Sequence, residues 1–330
     1  MKIAIVILNW NGKALLGQFL PFIVRYSEGA EIWVADNAST DGSVAFVQSA
    51  FPEVKLVRNE SNLGFAGGYN EALKSIEADI FVLVNSDIEV TPNWLPPILS
   101  VFEKEPETAI IQPKILDFKR RDHFEYAGAA GGFLDQYGYP FCRGRLFDTI
   151  EKDDGQYDDD CEIFWASGAC FFIRSSVFKN LGGFDPGFFA HQEEIDLCWR
   201  AFNAGHAAKY VSASTVFHVG GATLSEGSPK KTLLNFRNSL LMLHKNVPQR
   251  DRFRIVFIRL CLDGVAGIRF LTQGHFDLCF AIVKAHMGFF KMLRKNQIKR
   301  LSLPKSNYFK IKSILYPYFI QRKKRYSDLF

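Results

Sequence analysis

Over the first 90 residues, short apolar runs, most of them rich in β-branched residues, end abruptly in polar ones. Residues 3–8 (IAIVIL) stop at Asn9-Trp10-Asn11, residues 31–35 (EIWVA) at Asp36-Asn37, residues 54–58 (VKLVR) at Asn59, and residues 80–84 (IFVLV) at Asn85-Ser86-Asp87. Such runs predict strands buried on both faces. Between them, residues 14–26 predict an amphipathic helix with a kink at Pro21, Asp41-Gly42 opens a helix to about residue 50, and Asn62 to Gly68 form a glycine-rich turn into a third helix. Alternating strands and helices predict an α/β fold, a mostly parallel sheet flanked by helices. In such sheets ligands gather at the carboxyl ends of the strands, where all the polar clusters fall. Further on, residues 163–174 (IFWASGACFFIR) predict another core strand, and residues 193–204 a helix capped by Gly205. Residues 252–271 and 276–293 predict two strongly apolar helices, the second with a narrow polar stripe of Asp277, Lys284 and Lys291.

Composition narrows this picture little, with 48% apolar and 23% charged residues in 330, an ordinary globular balance of one large or two modest domains. The six cysteines form no CxxC pair, which favours reduced thiols in a cytosolic protein over a disulfide framework. The N-terminus reads as a strand, not a secretory leader, and no run of about 18 apolar residues predicts a membrane span. DDGQYDDD (153–160) lacks EF-hand spacing and reads as a solvated loop. Charge is more informative. Residues 278–330 hold 13 Lys/Arg and one acid, a net +12, and since the total is +5, residues 1–277 carry −7. An acidic body with a basic end predicts an anionic partner for that end.

Gly64, Gly67 and Gly68 read G-x-x-G-G after the third strand, which is not the dinucleotide fingerprint, and no P-loop occurs. The stretches VILNWNG (6–12), VADNASTDGS (34–43), NLGFAGGYNEAL (62–73), VNSDIEV (84–90) and GGFDPGFFAHQEEIDLCWRAFNAG (182–205) instead resemble the family 2 inverting glycosyltransferases of GT-A fold, near their rhamnosyltransferase-like branch. The resemblance covers roughly the first 240 residues in the family's order. It implies a GT-A domain over 1–240, and the apolar helices and charge beyond it predict a helical, basic, membrane-associating region over 241–330.

A sugar nucleotide loses a diphosphate, whose charge Mn²⁺ or Mg²⁺ neutralises as a Lewis acid. Such ions need few protein ligands, because phosphate and water complete the shell. Asp87, in the family's Asn-x-Asp form, is the expected metal ligand; the alternative is a turn closed by Asx hydrogen bonds. The resemblance gives His218 as the metal site's further ligand, against the reading of a satisfied core or surface histidine. It also implies that Asp36 accepts from the N–H of a pyrimidine base, with Asn9 and Asn11 lining the pocket. Asn85 and Ser86 are expected on ribose or sugar, and Asn62, Gly64, Gly67 and Asn70 beside the nucleoside. Tight packing is the competing account of the glycines, and Asp41 reads as a helix cap. Trp165, Gly168 and Ala169 are expected to border the acceptor.

An inverting transferase needs a base for the acceptor hydroxyl. Glu193-Glu194-x-Asp196 matches the family's Glu-Asp-x-Asp and maps the base to Glu194, with Glu for Asp; Asp196 and Glu193 are the alternatives. Acids in a first helical turn also suit the helix dipole, and Glu193, Asp196 and Arg200 can form a structural ion network.

The expected reaction is transfer of a sugar, with dTDP-rhamnose the donor the branch suggests, to a lipid-linked saccharide in envelope polysaccharide synthesis. The two apolar helices and the basic, aromatic-rich end (Tyr308, Phe309, Tyr316, Tyr318, Phe319) predict a peripheral protein on the cytoplasmic face of the membrane, bound to anionic lipid and not to nucleic acid. The competing classes are a non-catalytic membrane-associated GT-A scaffold and another nucleotide-using transferase.

Overall fold

The structure, a computed structural model, describes residues 1–220, 227–295 and 304–330; Lys299 and Arg300 of the basic end lie outside the described residues. The chain opens with β1 (Ile3–Asn9), α1 (Lys13–Tyr26), β2 (Glu31–Asp36), α2 (Ser43–Ala50), β3 (Lys55–Arg58) and α3 (Gly64–Ala72). Then come β4 (Ile80–Asn85), β5 (Ile88–Val90), α4 (Leu95–Lys104) and the long β6 (Thr108–Asp117). β7 (Gly132–Leu134), β8 (Pro140–Cys142), β9 (Arg145–Leu146) and β10 (Thr149–Ile150) make a separate antiparallel sheet. β11 (Cys161–Ile163), β12 (Cys170–Arg174), α5 (Ser175–Asn180), α6 (Glu193–Asn203) and β13 (Ala207–His218) follow, and α7 (Pro229–Asn246), α8 (Gln249–Thr272) and α9 (Phe276–Arg294) pack together beyond them.

The main sheet runs β11-β13-β6-β12-β4-β1-β2-β3, with β5 on β13. Its first half, β3-β2-β1-β4, is parallel as expected, but β12 runs against both β4 and β6, so the sheet as a whole is mixed. The single strand expected over 163–174 is two, because the chain leaves the sheet between them. There Trp165 bridges to Gly132 of the small sheet and donates its indole N–H to Phe133 O at 2.9 Å. Both faces of the parallel half are buried, which explains the unbroken apolar runs. In β4, Phe81 and Leu83 enter one core while Ile80, Val82 and Val84 enter the other; in β1, Ala4 and Val6 oppose Ile3, Ile5 and Ile7 in the same way. α1 runs through Pro21 without a break.

Beyond the sheet, the boundary expected at 240–241 falls inside α7. The basic end is docked on the body. Lys310 N–H donates to Leu134 O, Gln136 N–H to Ile311 O, and Ile314 N–H to the buried Asp135 carboxylate. Tyr308 and Tyr318, grouped above with lipid-facing aromatics, are buried, because their rings complete the core over the small sheet; Tyr316 stays exposed. The 153–160 loop is pinned by ion pairs from Lys114 to Asp153 and Asp158 and from Arg143 to Asp159. All six cysteines are unpaired.

α8 is tied to the small sheet by a buried cation. Arg259 Nε donates to Asp263 Oδ1 at 2.7 Å and its Nη1 to Tyr137 O at 3.0 Å. Removing one partner of a buried pair costs about 3–5 kcal/mol. Arg259→Ala is therefore expected to lower unfolding free energy by about that much in urea titrations. A loss below about 1 kcal/mol, the level of a surface pair, would show that the pair does not anchor α8.

Candidate functional site

Parallel register aligns the strand ends. Asn9 pairs with Asp36, and Leu8 with Asn85, so the ends of β2, β1 and β4 lie side by side. Asn9 Nδ2 donates to Asp36 Oδ1 and to Ser39 Oγ, both at 3.1 Å, and Asp36 Oδ2 accepts from Ser39 N–H. Asn9 Oδ1 is buried with no protein partner. Gly12 leaves it room: a Cβ there would lie 2.5 Å from that oxygen and 3.6 Å from Ser86 Oγ. Asn11, at φ 53°, accepts from Thr40 N–H and so braces the next loop. Asp41 accepts from Lys13 N–H and Ser43 N–H, the structural capping role expected of it.

The glycine turn is shorter than expected, since α3 already begins at Gly64. Asn62 Oδ1 accepts from Gly64 N–H and Asn37 Nδ2. Gly64 (φ 71°) has no room for a side chain, because a Cβ would lie 2.6 Å from Phe189 O, which accepts from Phe65 N–H. A Cβ on Gly67 would meet Leu63 Cβ at 2.9 Å. Asn70 spends both ends of its amide on the Phe184 main chain, at 2.7 and 2.9 Å, so its contacts tie α3 to the 182–189 loop.

Beyond β4, Asp87 sits in the turn before β5, and the β5–β13 ladder brings His218 beside it. His218 Nε2 lies 3.2 Å from Asp87 Oδ1, and Nδ1 lies 3.1 Å from Glu125 Oε1, with all three side chains buried. Burial works to lower the His218 pKa, but Glu125 and Asp87 outweigh it and carry it up to about 10. Burial likewise works to raise Asp87, yet the hydrogen bond from His218 holds it below the usual carboxylate range. An imidazole nitrogen and a carboxylate oxygen side by side are a donor pair that Mn²⁺ accepts. No group of three or more metal-binding side chains occurs among the described residues. Glu125 escaped the sequence reading, for a lone Glu in an irregular segment carries no periodic or motif signal.

Just before α6, three non-glycine residues adopt left-handed backbone: Phe189 (φ 64°), His191 (φ 69°) and Gln192 (φ 73°). The loop is held from α7. Asn238 Nδ2 lies within 3.0 Å of the carbonyls of Phe188, Ala190 and His191, and Arg237 donates to Gly187 and Phe188. In sequence, Arg237 and Asn238 are two polar residues among many on α7 and carry no motif that marks the clamp.

Asp196 then differs sharply from Glu193 and Glu194, whose Oε2 atoms are both buried without a partner among the described residues. Asp196 is fully buried and accepts from Arg200, Lys245 and Asn246 at 2.8–2.9 Å; burial alone would raise its pKa, but Arg200 and Lys245 hold it low. It is thus a structural anchor, with both oxygens committed. Glu193 lies outside that network; burial and then the neighbouring Glu194 charge raise it well above the usual range. Glu194 Oε2 is buried and unpartnered, and burial pushes this carboxyl up to about 7. A Cβ on Gly168 would lie 3.8 Å from Glu194 Cβ and 3.2 Å from Phe65, so Gly168 lies between α6 and α3. Ala169 O accepts from Asn85 N–H, whereas Trp165 is buried with its N–H spent on Phe133.

A sheet in this order, with polar strand ends facing an acidic helix, is the GT-A fold of the nucleotide-sugar transferases. The structure of GalNAc-T7 with UDP, GalNAc and Mn²⁺ superposes with a TM-score of 0.58 at 17% identity, covering 76% of this chain and 48% of that one. The mannosyltransferase PcManGT of Pyrobaculum calidifontis, with GDP-Man and Mn²⁺, gives 0.54 at 12% identity over 88% of this chain and 87% of that one. Residues 4–182 match the model of Glycosyl transferase family 2, and the chain belongs to that family of hexosyltransferases. Among curated proteins it is similar to the N-acetylglucosaminyl-diphospho-decaprenol L-rhamnosyltransferase of Mycobacterium tuberculosis, 25% identical over 233 residues, 65% of this chain and 75% of that protein.

Glu194 and Asp196 can be separated experimentally. Glu194→Gln is expected to cut turnover by at least about 100-fold, the range of a lost general base, with nucleotide binding and thermal midpoint retained. Asp196→Asn is expected to lower stability instead, by about 3–5 kcal/mol. Wild-type turnover should rise with pH through about 7 as Glu194 ionises. The same proton makes folding less favourable as pH climbs from the ordinary Glu range to about 7, since the unfolded chain releases it first. Flat turnover between pH 6 and 8 would remove Glu194 from the base role.

Proposed function

We propose that this glycosyltransferase moves a sugar, with inversion, from a nucleoside-diphosphate sugar to a hydroxyl of a lipid-linked saccharide. The observation that carries the reading is the buried, unpartnered Glu194 carboxylate oxygen beside Gly168, on a site that also holds the adjacent Asp87 and His218. Glu194 takes the acceptor hydroxyl's proton as that oxygen bonds to C1 and the C1–O bond to the diphosphate breaks. Asp87 and His218 would hold Mn²⁺ or Mg²⁺, which when bound would supply Lewis-acid neutralisation of the leaving diphosphate. Asn9 and Asp36 receive the base, while Asn85 and Ser86 receive ribose or sugar. The name of the mycobacterial relative supports an L-rhamnosyl donor, dTDP-rhamnose, and a polyprenyl-diphosphate-linked acceptor.

Membrane docking belongs to the same reading. α8 exposes Phe253 (83%), Phe257 and Ile268, and α9 exposes Phe276, Phe280 and Met287 (67%) at helical spacing. No helix among the described residues is long and apolar enough to cross a membrane. The exposed Arg254, Arg269, Lys284 and Lys291 interleave with these apolar side chains, which suits helices lying in an anionic interface at about 1 kcal/mol per basic residue. The protein is then peripheral on the inner face of the cell membrane.

Two measurements test this. Purified protein incubated with UDP-, GDP- and dTDP-sugars should release nucleoside diphosphate from one donor only with Mn²⁺ or Mg²⁺, and Asp87→Ala should abolish the release; metal-independent turnover would defeat the metal reading. In flotation, the chain should bind phosphatidylglycerol vesicles, bind phosphatidylcholine vesicles less, and detach in high salt, with Phe276→Ser/Phe280→Ser failing to bind. Dimerisation through this face, seen by sedimentation without vesicle binding, would assign it to a second copy instead.

A further inference from the structure

Glu125 has no assigned role, yet its geometry is specific. It lies in the irregular segment between β6 and β7, where its N–H donates to Ile115 O at 3.0 Å. Its side chain is buried. Oε2 is fixed by its own turn, accepting from Ala127 N–H at 2.6 Å. That bond leaves Oε1 aimed at His218 Nδ1, 3.1 Å away. The contact is within ion-pair distance, and among the described residues Nδ1 makes no hydrogen bond. Gly220 keeps this side clear: a Cβ there would lie 3.3 Å from Oε1. Behind it, the buried Arg145 guanidinium supplies a compensating positive charge that acts on Glu125. The result is a buried line running Arg145, Glu125, His218, Asp87, from the small sheet to the strand end of the main sheet.

We propose that Glu125 is a positioning residue for the metal site: it holds the Nδ1 edge of His218 and so leaves Nε2, which faces Asp87 in the metal-free protein, as the ring nitrogen that an ion would take up on displacing its proton. A histidine ligand normally gives its second nitrogen to a carboxylate or carbonyl for this purpose, and loss of that partner costs about 10–100-fold in metal affinity. The inference rests on the metal reading above but concerns a residue on the opposite side of the ring from any ion. It also gives the small sheet a part in the chemistry, since the segment leading into that sheet is what holds Glu125.

Titrate Mn²⁺ by electron paramagnetic resonance into full-length wild type, Glu125→Gln and Glu125→Ala, each with saturating UDP, GDP or dTDP. In parallel, record the imidazole nitrogen shifts of metal-free protein labelled with ¹⁵N-histidine. Wild type should bind Mn²⁺, Glu125→Ala about 10–100-fold more weakly, and Glu125→Gln, which keeps an acceptor oxygen, in between. The His218 nitrogen shifts should move in both variants, a signature that a purely structural carboxylate would not produce. If Glu125→Ala does not fold, Glu125→Gln decides alone: wild-type Mn²⁺ affinity and unchanged His218 shifts would overturn the assignment. No Mn²⁺ binding by wild type would instead defeat the metal reading itself, and this inference with it.

Discussion

Parallel pairing of β1 with β2 and β4 is the constraint on which the rest of the molecule depends. Strands buried on both faces cannot carry polar side chains along their length, so polarity is confined to their ends. Register then forces those ends into one line, which sets Asn9 against Asp36 and Leu8 against Asn85. A one-residue slip would exchange the two cores, moving Ala4 and Val6 to the face of Ile3, Ile5 and Ile7. The apolar pattern that stabilises the sheet therefore also determines where the site's polar groups meet. Asn9 shows the consequence: fully buried, it satisfies its amide donors on Asp36 and Ser39 and leaves Oδ1 without a partner.

The opposite wall is built on a different principle. Left-handed φ at Phe189, His191 and Gln192 costs about 1–3 kcal/mol per residue. The carbonyls of this loop are collected by Asn238 and Arg237 on α7, while Lys245 and Asn246 of the same helix hold Asp196. α7 thus offsets the strain from outside the segment that matches the family, residues 4–182. It also joins the wall to α9, where Gly288 lets the Arg237 side chain approach: a Cβ there would lie 3.3 Å from it. The helices that expose apolar surface and the loop that precedes the base are one packed unit.

The parallel half of the sheet, its helices, and the polar strand ends were legible in the sequence because each follows from period and burial, both local properties. Asp36, Asp87, Glu194 and His218 were legible as candidates through motif resemblance. What was not legible depends on contacts distant in sequence. β12's antiparallel course follows from a detour in which Trp165 seeks Gly132. Tyr308 and Tyr318 look like interfacial aromatics among lysines, and only the docking of residues 304–330 on the small sheet buries them. Asn70 reads as a pocket residue, yet its amide is taken by Phe184, 114 positions away. Glu125 has no local signature at all.

Glu194 and Asp196 lie within one turn of the same helix, so intrinsic acidity and the helix dipole cannot distinguish them; their neighbours do. Both are buried, and burial alone would raise both pKa values. Around Asp196 two cations and an amide arrive from α6 and α7, the charged form wins, and both oxygens are occupied. Around Glu194 no cation arrives among the described residues, burial prevails, and one oxygen remains unpartnered there. A carboxylate that is both low in pKa and saturated with donors is a poor proton acceptor, whereas one poised near 7 with a free oxygen is a good one. The Glu in place of the family's Asp fits this division. Gly168 packs against Phe65, where a Cβ would lie 3.2 Å from the ring, and only touches Glu194 at its Cβ.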